Sequence, residues 1–191
     1  MLIIGNGKTI TRDANLPFIE DGAVAIEGTR IKEIGATKDM KEKYKEAEYI
    51  DARGGVIMPA FINTHEHIYS AMARGLSIKG YHPKGFLDIL DGQWWTIDRK
   101  LTPEQIRYSA ADTMISCIRN GVTTIFDHHA SFGHIKDSLF TIAEVAKELG
   151  VRSCLCYEVS DRDGMEKAKE AVMENAAFIK YALQDDSDML A

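Results

Sequence analysis

Residues 54–67 read GGVIMPAFINTHEH, and the interpretation of the whole chain starts from this stretch. It begins with a continuous apolar run, which is typical of a strand buried on both faces in a parallel sheet. Successive side chains of a strand point to opposite faces, so His65 and His67 share one face and Glu66 lies on the other. The stretch therefore predicts a buried strand whose carboxyl end presents two imidazoles side by side.

The two imidazoles are candidate ligands of one metal ion. An H-x-H triplet is a weak pattern by itself, because both rings could instead be exposed or bonded to the main chain. A buried polar group without a partner is costly, however, and this pair follows an apolar strand. The motif H-E-x-x-H is excluded because Tyr69 stands at its second histidine, and no P-C-x-x-C follows. We predict that His65 and His67 hold one divalent metal ion, zinc or iron, since both suit imidazole.

The stretch from Gly55 to His67 resembles the first barrel strand of the amidohydrolase superfamily. The resemblance covers essentially the whole chain and continues through three further stretches, residues 69–75, 121–129 and 156–164. Within the superfamily, these stretches are similar to the branch of chlorohydrolases and deaminases. The family usually has Pro-Gly where this chain has Pro59-Ala60, and that departure leaves the two histidines unaffected.

The resemblance implies a (β/α)8 barrel, but such a barrel needs about 250 residues and this chain has 191. We therefore expect an α/β fold in which residues 56–191 form a partial (β/α)8 TIM barrel, about the first three strand–helix units. Residues 1–55 read as short strands and would form half of a small N-terminal β-sandwich domain. The third barrel strand, Val151 to Tyr157, would have an unpaired edge. We expect a homo-oligomer, the remainder of the same protein or a rearrangement of the chain to cover that edge.

Helix signals alternate with the strand signals, as in a parallel α/β sheet or barrel. The best-defined helix has Thr102 as its N-cap, Pro103 at its first position and Gln105 completing a capping box. A second helix is predicted to end at Gly150. The apolar face predicted for a third helix consists of Met165, Ala168, Val172, Asn175, Phe178, Ile179 and Leu183.

Two residues are candidates for contact with a substrate. Asp98 lies in the loop region after the first barrel strand, where the resemblance places an acidic substrate contact; alternatively, it is an ordinary surface carboxylate beside Arg99. At the end of the second strand, alternation allows only one of His128 and His129 to face the barrel interior. We favour His128, as a residue that contacts the substrate or supports a ligand. The alternative is that both histidines cap the following loop.

The function implied by the resemblance is hydrolysis of a C–N bond in a nitrogen heterocycle by a metal-activated water. The substrate would be a small molecule. Two further histidines and a proton-shuttling aspartate are implied from later strands, beyond Ala191, so no catalytic residue is assigned within the chain. Two alternatives stay open: a chain that is catalytically silent by itself, or a cyclic-amidase relative such as a dihydropyrimidinase. Residues 71–75 fit the deaminase branch better.

Composition narrows the choice of partners and compartment. The net charge of −6 argues against nucleic acid and anionic membranes, which both attract clustered Lys and Arg. No apolar stretch approaches a membrane span, and the apolar start of the chain is too short for a signal peptide. Cys117, Cys154 and Cys156 form no disulfide framework, and we interpret Cys154 and Cys156, which share a strand face, as small core residues rather than a redox pair. These observations predict a cytoplasmic protein.

Overall fold

The computed structural model describes every residue from Met1 to Ala191. The chain divides into two compact units, Met1–Ala60 and Phe61–Ala191. The boundary predicted from the sequence lies between residues 55 and 56. The observed boundary lies five residues later, because residues 56–60 belong to the first unit. No helix has the length and apolar character that a membrane crossing requires.

The first unit is a five-stranded sheet with one helix. Its elements are β1 Leu2–Ile10, β2 Phe18–Glu27, β3 Arg30–Ala36, α1 Thr37–Lys43, β4 Glu48–Asp51 and β5 Val56–Ile57. Strand β1 is central: it pairs antiparallel with β2, and it pairs parallel with β4 near its start and with β5 near its end. Strands β2 and β3 form an antiparallel hairpin, where Gly28 takes a positive φ of 59° that the turn requires.

The second unit contains a three-stranded parallel sheet whose strands are connected by helices. Its elements are β6 Phe61–Glu66, α2 Phe86–Ile89, α3 Trp95–Asp98, α4 Pro103–Arg119, β7 Val122–His129, α5 Ser138–Leu149, β8 Arg152–Tyr157 and α6 Met165–Ala182. The strand order is β6-β7-β8; a 3-10 turn at Ile68–Ala73 follows β6, and a π turn at Leu90–Trp94 joins α2 to α3. The capping box predicted for α4 is confirmed. The core that joins these helices to the sheet includes Ile106, Met114, Ile125, Leu139, Ile142 and Phe178.

The apolar run before the histidines forms two strands, and the prediction of one strand buried on both faces is wrong. Val56–Ile57 pairs with β1 in the first unit, whereas Phe61–Glu66 pairs with β7 in the second. Pro59 lies between them, and its missing N–H cannot contribute to a strand ladder. Strand β6 is an edge strand of its sheet, which leaves Phe61 and Ile62 more than half exposed.

The end of the chain pairs with β8, so the prediction of an unpaired edge is wrong. Ser153 donates to the carbonyl oxygen of Met189 at 2.9 Å and accepts from the Ala191 N–H at 3.0 Å. Leu155 donates to the Ala191 carbonyl oxygen at 2.9 Å. These bonds form a parallel bridge between Ser153 and Leu190 beside β8. A segment of three residues carries no periodic signal in the sequence, so the sequence does not predict this pairing.

At the carboxyl end of the same edge, a side chain bonds to the main-chain groups of Tyr157. Asn175 of α6 accepts from the Tyr157 N–H at 2.9 Å and donates to the Tyr157 carbonyl oxygen at 3.0 Å. It thereby replaces both hydrogen bonds that a neighbouring strand would make with this residue. Helix α6 packs on β8 and, through Asn175, also ends the row of strand-type hydrogen bonds along this edge of β8.

Candidate metal and substrate site

The two predicted metal ligands converge on one point. His65 Nε2 and His67 Nε2 lie 3.1 Å apart, and the two rings meet edge to face with centroids 5.0 Å apart. Two nitrogen ligands at 2.0–2.1 Å from one tetrahedral ion would be roughly 3.3 Å apart. The spacing of the two Nε2 atoms thus fits joint ligation of one ion. No group of three or more His, Cys, Asp or Glu side chains is arranged to do so.

The second nitrogen of His67 determines its tautomer. His67 Nδ1 lies 3.0 Å from the carbonyl oxygen of His128. Because a carbonyl can only accept, Nδ1 carries the proton and Nε2 keeps a lone pair in the neutral ring. A lone pair on Nε2 is what a metal ligand needs, and a main-chain acceptor on the other nitrogen is the usual arrangement around such histidines.

Polar side chains hold the main chain of the histidine segment. Glu66 accepts from the His67 N–H at 3.0 Å and from the Asn63 side-chain amide at 2.7 Å. The Asn63 amide oxygen accepts from the His65 N–H at 3.3 Å. Asp127 of β7 accepts from the Ile68 N–H at 2.7 Å. Side-chain hydrogen bonds therefore hold the main-chain N–H groups of His65, His67 and Ile68.

His128 faces the same cavity as the histidine pair. Its ring lies 5.5 Å from the His67 ring, and burial lowers the pKa of His128 from its usual value. His129 is fully buried on the opposite face of β7, as alternation requires. The cavity measures about 490 Å³ and is lined by Thr64, His65, Glu66, His67, Phe126, Asp127, His128, Cys154 and Cys156.

Two of the three cysteines line this cavity, contrary to their interpretation as core residues. Cys156 is exposed and Cys154 is half-buried, whereas Cys117 is buried. Both cavity thiols project from the face of β8 that continues the face carrying His128 on β7, because His128 and Cys156 are register partners. All three cysteines are free.

Asp98 is buried and bonded to an arginine. Its carboxylate pairs with Arg162, whose guanidinium also bonds to Glu158 and lies 3.7 Å from the centre of the Phe132 ring. Burial raises the pKa of Asp98 to about 6, against the opposing effect of Arg162. The alternative of an ordinary surface carboxylate is wrong, since Asp98 is 0% exposed. Asp98 is not among the residues that line the histidine cavity.

Sequence reasoning missed Asp127 and Arg162. Asp127 directly follows the apolar part of β7, and a charged residue at that position is itself a signal of a buried role. Its carboxyl is 3% exposed. Arg162 lies five residues beyond the end of β8, and nothing in its sequence surroundings predicts that it would face Asp98.

Residues 56–189 match the family model described as "Amidohydrolase family". The chain belongs to the amidohydrolase family. The 5′-deoxyadenosine deaminase of Methanosarcina barkeri is 28% identical over 184 residues, which are 94% of this chain and 38% of that protein. The 5-methylthioadenosine/S-adenosylhomocysteine deaminase of Pyrococcus furiosus is 30% identical over 193 residues, 100% of this chain and 40% of that protein. The chain thus spans about two fifths of these curated relatives.

Solved structures share the fold along the whole chain. The atrazine chlorohydrolase TrzN from Arthrobacter aurescens TC1, complexed with zinc, superposes with a TM-score of 0.79 at 22% identity, covering 100% of this chain and 45% of that one. The guanine deaminase of E. coli gives a TM-score of 0.78 at 20% identity with the same coverage. The predicted α/β class and the resemblance to the chlorohydrolase and deaminase branch are confirmed.

Proposed function

We propose that the chain carries the first metal-binding strand of a hydrolase that removes an amino group from a nitrogen heterocycle. The convergence of His65 Nε2 and His67 Nε2, 3.1 Å apart, is the observation on which this proposal depends. We also propose that β6, β7, β8 and the segment at Met189–Ala191 are the first strands of a TIM barrel, and that β1–β5 are part of a β-sandwich.

In this proposal His65 and His67 hold one divalent ion, either zinc or iron. When bound, such an ion can lower the pKa of a water molecule to about 7, which supplies a nucleophile at neutral pH. The chain's own contribution is orientation: the His128 carbonyl fixes the His67 ring, and Glu66 fixes its main chain. Metal sites use three or four protein ligands. The others, which the family resemblance implies, would come from later strands.

The substrate side of the proposal rests on His128 and Asp98. His128 lines the cavity, and its lowered pKa keeps its ring uncharged at neutral pH, so that it can donate or accept one hydrogen bond. Asp98 would reach a substrate only after its pair with Arg162 opens or is shared. The names of the relatives and of the structural neighbours suggest an aminopurine or aminotriazine ring as the substrate class.

Ammonia release tests the reaction. Protein that also contains the later strands expected to complete the site is incubated with Zn²⁺ and with 5′-deoxyadenosine, 5-methylthioadenosine or guanine, and ammonia is measured by a coupled enzyme assay. The 191-residue chain alone should show no turnover, because two histidines are fewer than a complete site needs. A deaminase that uses this site loses turnover in both His65→Ala and His67→Ala. His82→Ala is the matched control, because His82 is an exposed histidine that does not line the cavity. Turnover that survives both cavity variants would contradict the proposal, and so would zinc affinity that neither variant reduces.

A further inference from the structure

Directly behind the metal-site histidines, two buried polar atoms face each other without a partner. Asp127 Oδ2 and His129 Nδ1 make no hydrogen bond, and they lie 4.0 Å apart. Both side chains belong to β7, and only 3% and 0% of their surfaces are exposed. Buried polar atoms are nearly always hydrogen-bonded in folded proteins. The pair therefore requires a physical explanation.

Hydrogen bonds around Ser131 determine the tautomer of His129. The Ser131 hydroxyl donates to the His134 carbonyl oxygen at 2.7 Å, because a carbonyl can only accept. The same hydroxyl oxygen lies 3.0 Å from His129 Nε2, so this nitrogen must supply the proton of that contact. In the neutral ring, Nδ1 then has a lone pair and can only accept. What His129 lacks is a donor that faces Nδ1.

Asp127 can supply that donor if its carboxyl group is protonated. Its Oδ1 already accepts from the Ile68 N–H at 2.7 Å, which leaves Oδ2 for the proton. The pKa of Asp127 is raised to about 8, mainly by burial and to a smaller extent by the nearby Glu66, against the opposing effect of the Ile68 hydrogen bond. Burial also lowers the pKa of His129 to about 3. An ionised carboxylate would instead face the lone pair of an uncharged ring, which is repulsive.

We propose that Asp127 and His129 form an uncharged carboxyl–imidazole pair, in which the Oδ2 hydroxyl donates to His129 Nδ1 and Oδ1 fixes the main chain that follows His67. The two atoms must approach by about 1 Å to reach hydrogen-bond length. Asp127 is thereby a positioning residue: it holds Ile68 while the adjacent His128 carbonyl holds the His67 ring.

The pair also connects the histidine segment to the third strand. His129 bonds to Ser131, and the Ser131 N–H donates to the Tyr157 hydroxyl at 2.8 Å. Tyr157 is the last residue of β8, so with the proposed Asp127–His129 bond one chain of hydrogen bonds would join the turn after β6 to the carboxyl ends of β7 and β8. The positioning role rests on the proposed metal site, whereas the existence of the uncharged pair does not.

Two spectroscopic measurements test the pair directly. In protein labelled with ¹⁵N-histidine, two-bond ¹H–¹⁵N spectra report the tautomer of each ring. We expect His129 to remain in the neutral Nε2–H form from pH 5 to pH 7. Infrared spectroscopy should show the carbonyl band of a protonated carboxylic acid, which disappears in Asp127→Asn. A positively charged His129, an Nδ1–H tautomer or the absence of the acid band would overturn the proposal.

Three variants test the positioning role. Asp127→Asn keeps an oxygen acceptor for Ile68 and presents an N–H donor to His129, so its zinc affinity should stay within about threefold of the wild type. Asp127→Ala removes both bonds and should weaken zinc binding by about tenfold or more. Glu174→Ala is the matched control. Glu174 is another buried carboxyl that accepts two main-chain N–H groups, from Asp137 and Leu139, far along the chain from the histidine segment.

The control separates positioning from general loss of stability. Both alanine variants should melt at a lower temperature, but only Asp127→Ala should also lose zinc affinity when each is measured while folded. Equal zinc affinity in the two alanine variants would refute the positioning role, as would an Asp127→Asn variant that binds zinc as poorly as Asp127→Ala. If His65→Ala leaves zinc affinity unchanged, the metal proposal fails, while the tautomer and the acid band still test the pair.

Discussion

Replacing Asp127 with asparagine should remove a pH dependence of folding stability. The pKa of the folded Asp127 carboxyl is raised from 3.8 to about 8, with burial as the largest cause. Between these two values the folded state binds a proton that the unfolded state has released. Stability is therefore highest below the unfolded pKa and falls as pH rises towards the folded pKa. Each pH unit corresponds to about 1.4 kcal/mol, so the ceiling across the whole interval is roughly 5–6 kcal/mol.

The assay is urea unfolding of the wild type and Asp127→Asn at pH 5, 6 and 7. Other groups titrate in this range, but they are common to both proteins and cancel in the difference between the two free energies of unfolding. That difference should move by about 2–3 kcal/mol in favour of asparagine between pH 5 and pH 7. A difference that is constant with pH would show that Asp127 is ionised in the folded protein. The reasoning from its burial would then be wrong.

Three further predictions concern the metal ligands, the strand edge and the buried ion pair. His67→Ala should lower zinc affinity at least tenfold by isothermal titration, and the wild-type 191-residue chain should bind zinc only weakly, because two histidines are fewer than a complete site needs. Asn175→Ala leaves the Tyr157 N–H and carbonyl oxygen without a hydrogen bond. It should therefore lower the free energy of unfolding, measured in urea, by about 2–4 kcal/mol. Asp98→Asn weakens the pair with Arg162 and should lower the free energy of unfolding by about 1–3 kcal/mol; an increased KM with unchanged unfolding would instead indicate substrate contact.

The sequence predicted those parts of the fold that local rules determine. Thr102 and Gln105 form the capping box because the required residue types are three positions apart at the start of an apolar helix. Gly150 ends α5 with a positive φ of 73°, which glycine adopts without strain. Such signals depend on neighbours in the sequence. They remain valid whatever the rest of the chain does.

Burial on α6 was predicted less well, because tertiary packing selects its buried face. The prediction included Val172 and Ile179, which are more than half exposed. The buried face includes Ala171, Glu174 and Phe178. Apolar periodicity cannot select Glu174, a charged residue. Glu174 is buried because its carboxylate accepts the main-chain N–H groups at the start of α5, a contact 35 to 37 residues away in sequence.

At the candidate site, strand alternation predicts which face of a strand a side chain lies on, but it does not predict which residue that side chain contacts. Alternation on β6 correctly put His65 and His67 on one face, and their Nε2 atoms meet. It could not predict that Asp98 would face Arg162, because the two residues lie 64 positions apart, Asp98 at the end of α3 and Arg162 in the loop between β8 and α6. The identity of a buried ion pair depends on how distant segments pack, and no periodic pattern encodes that.

Side chains on the two faces of β7 have different surroundings. Phe126 and His128 face the cavity, where a substrate or ion would be bound. Asp127 and His129 are buried, and Asp127 bonds to the segment that follows the metal-site histidines. Because adjacent residues of one strand cannot shift independently, a displacement of the buried pair would move the His128 carbonyl and the His67 ring bonded to it. The geometry of the proposed metal site thus depends on side chains that are buried in β7, and substitutions of Asp127 or His129 should alter metal affinity as well as stability.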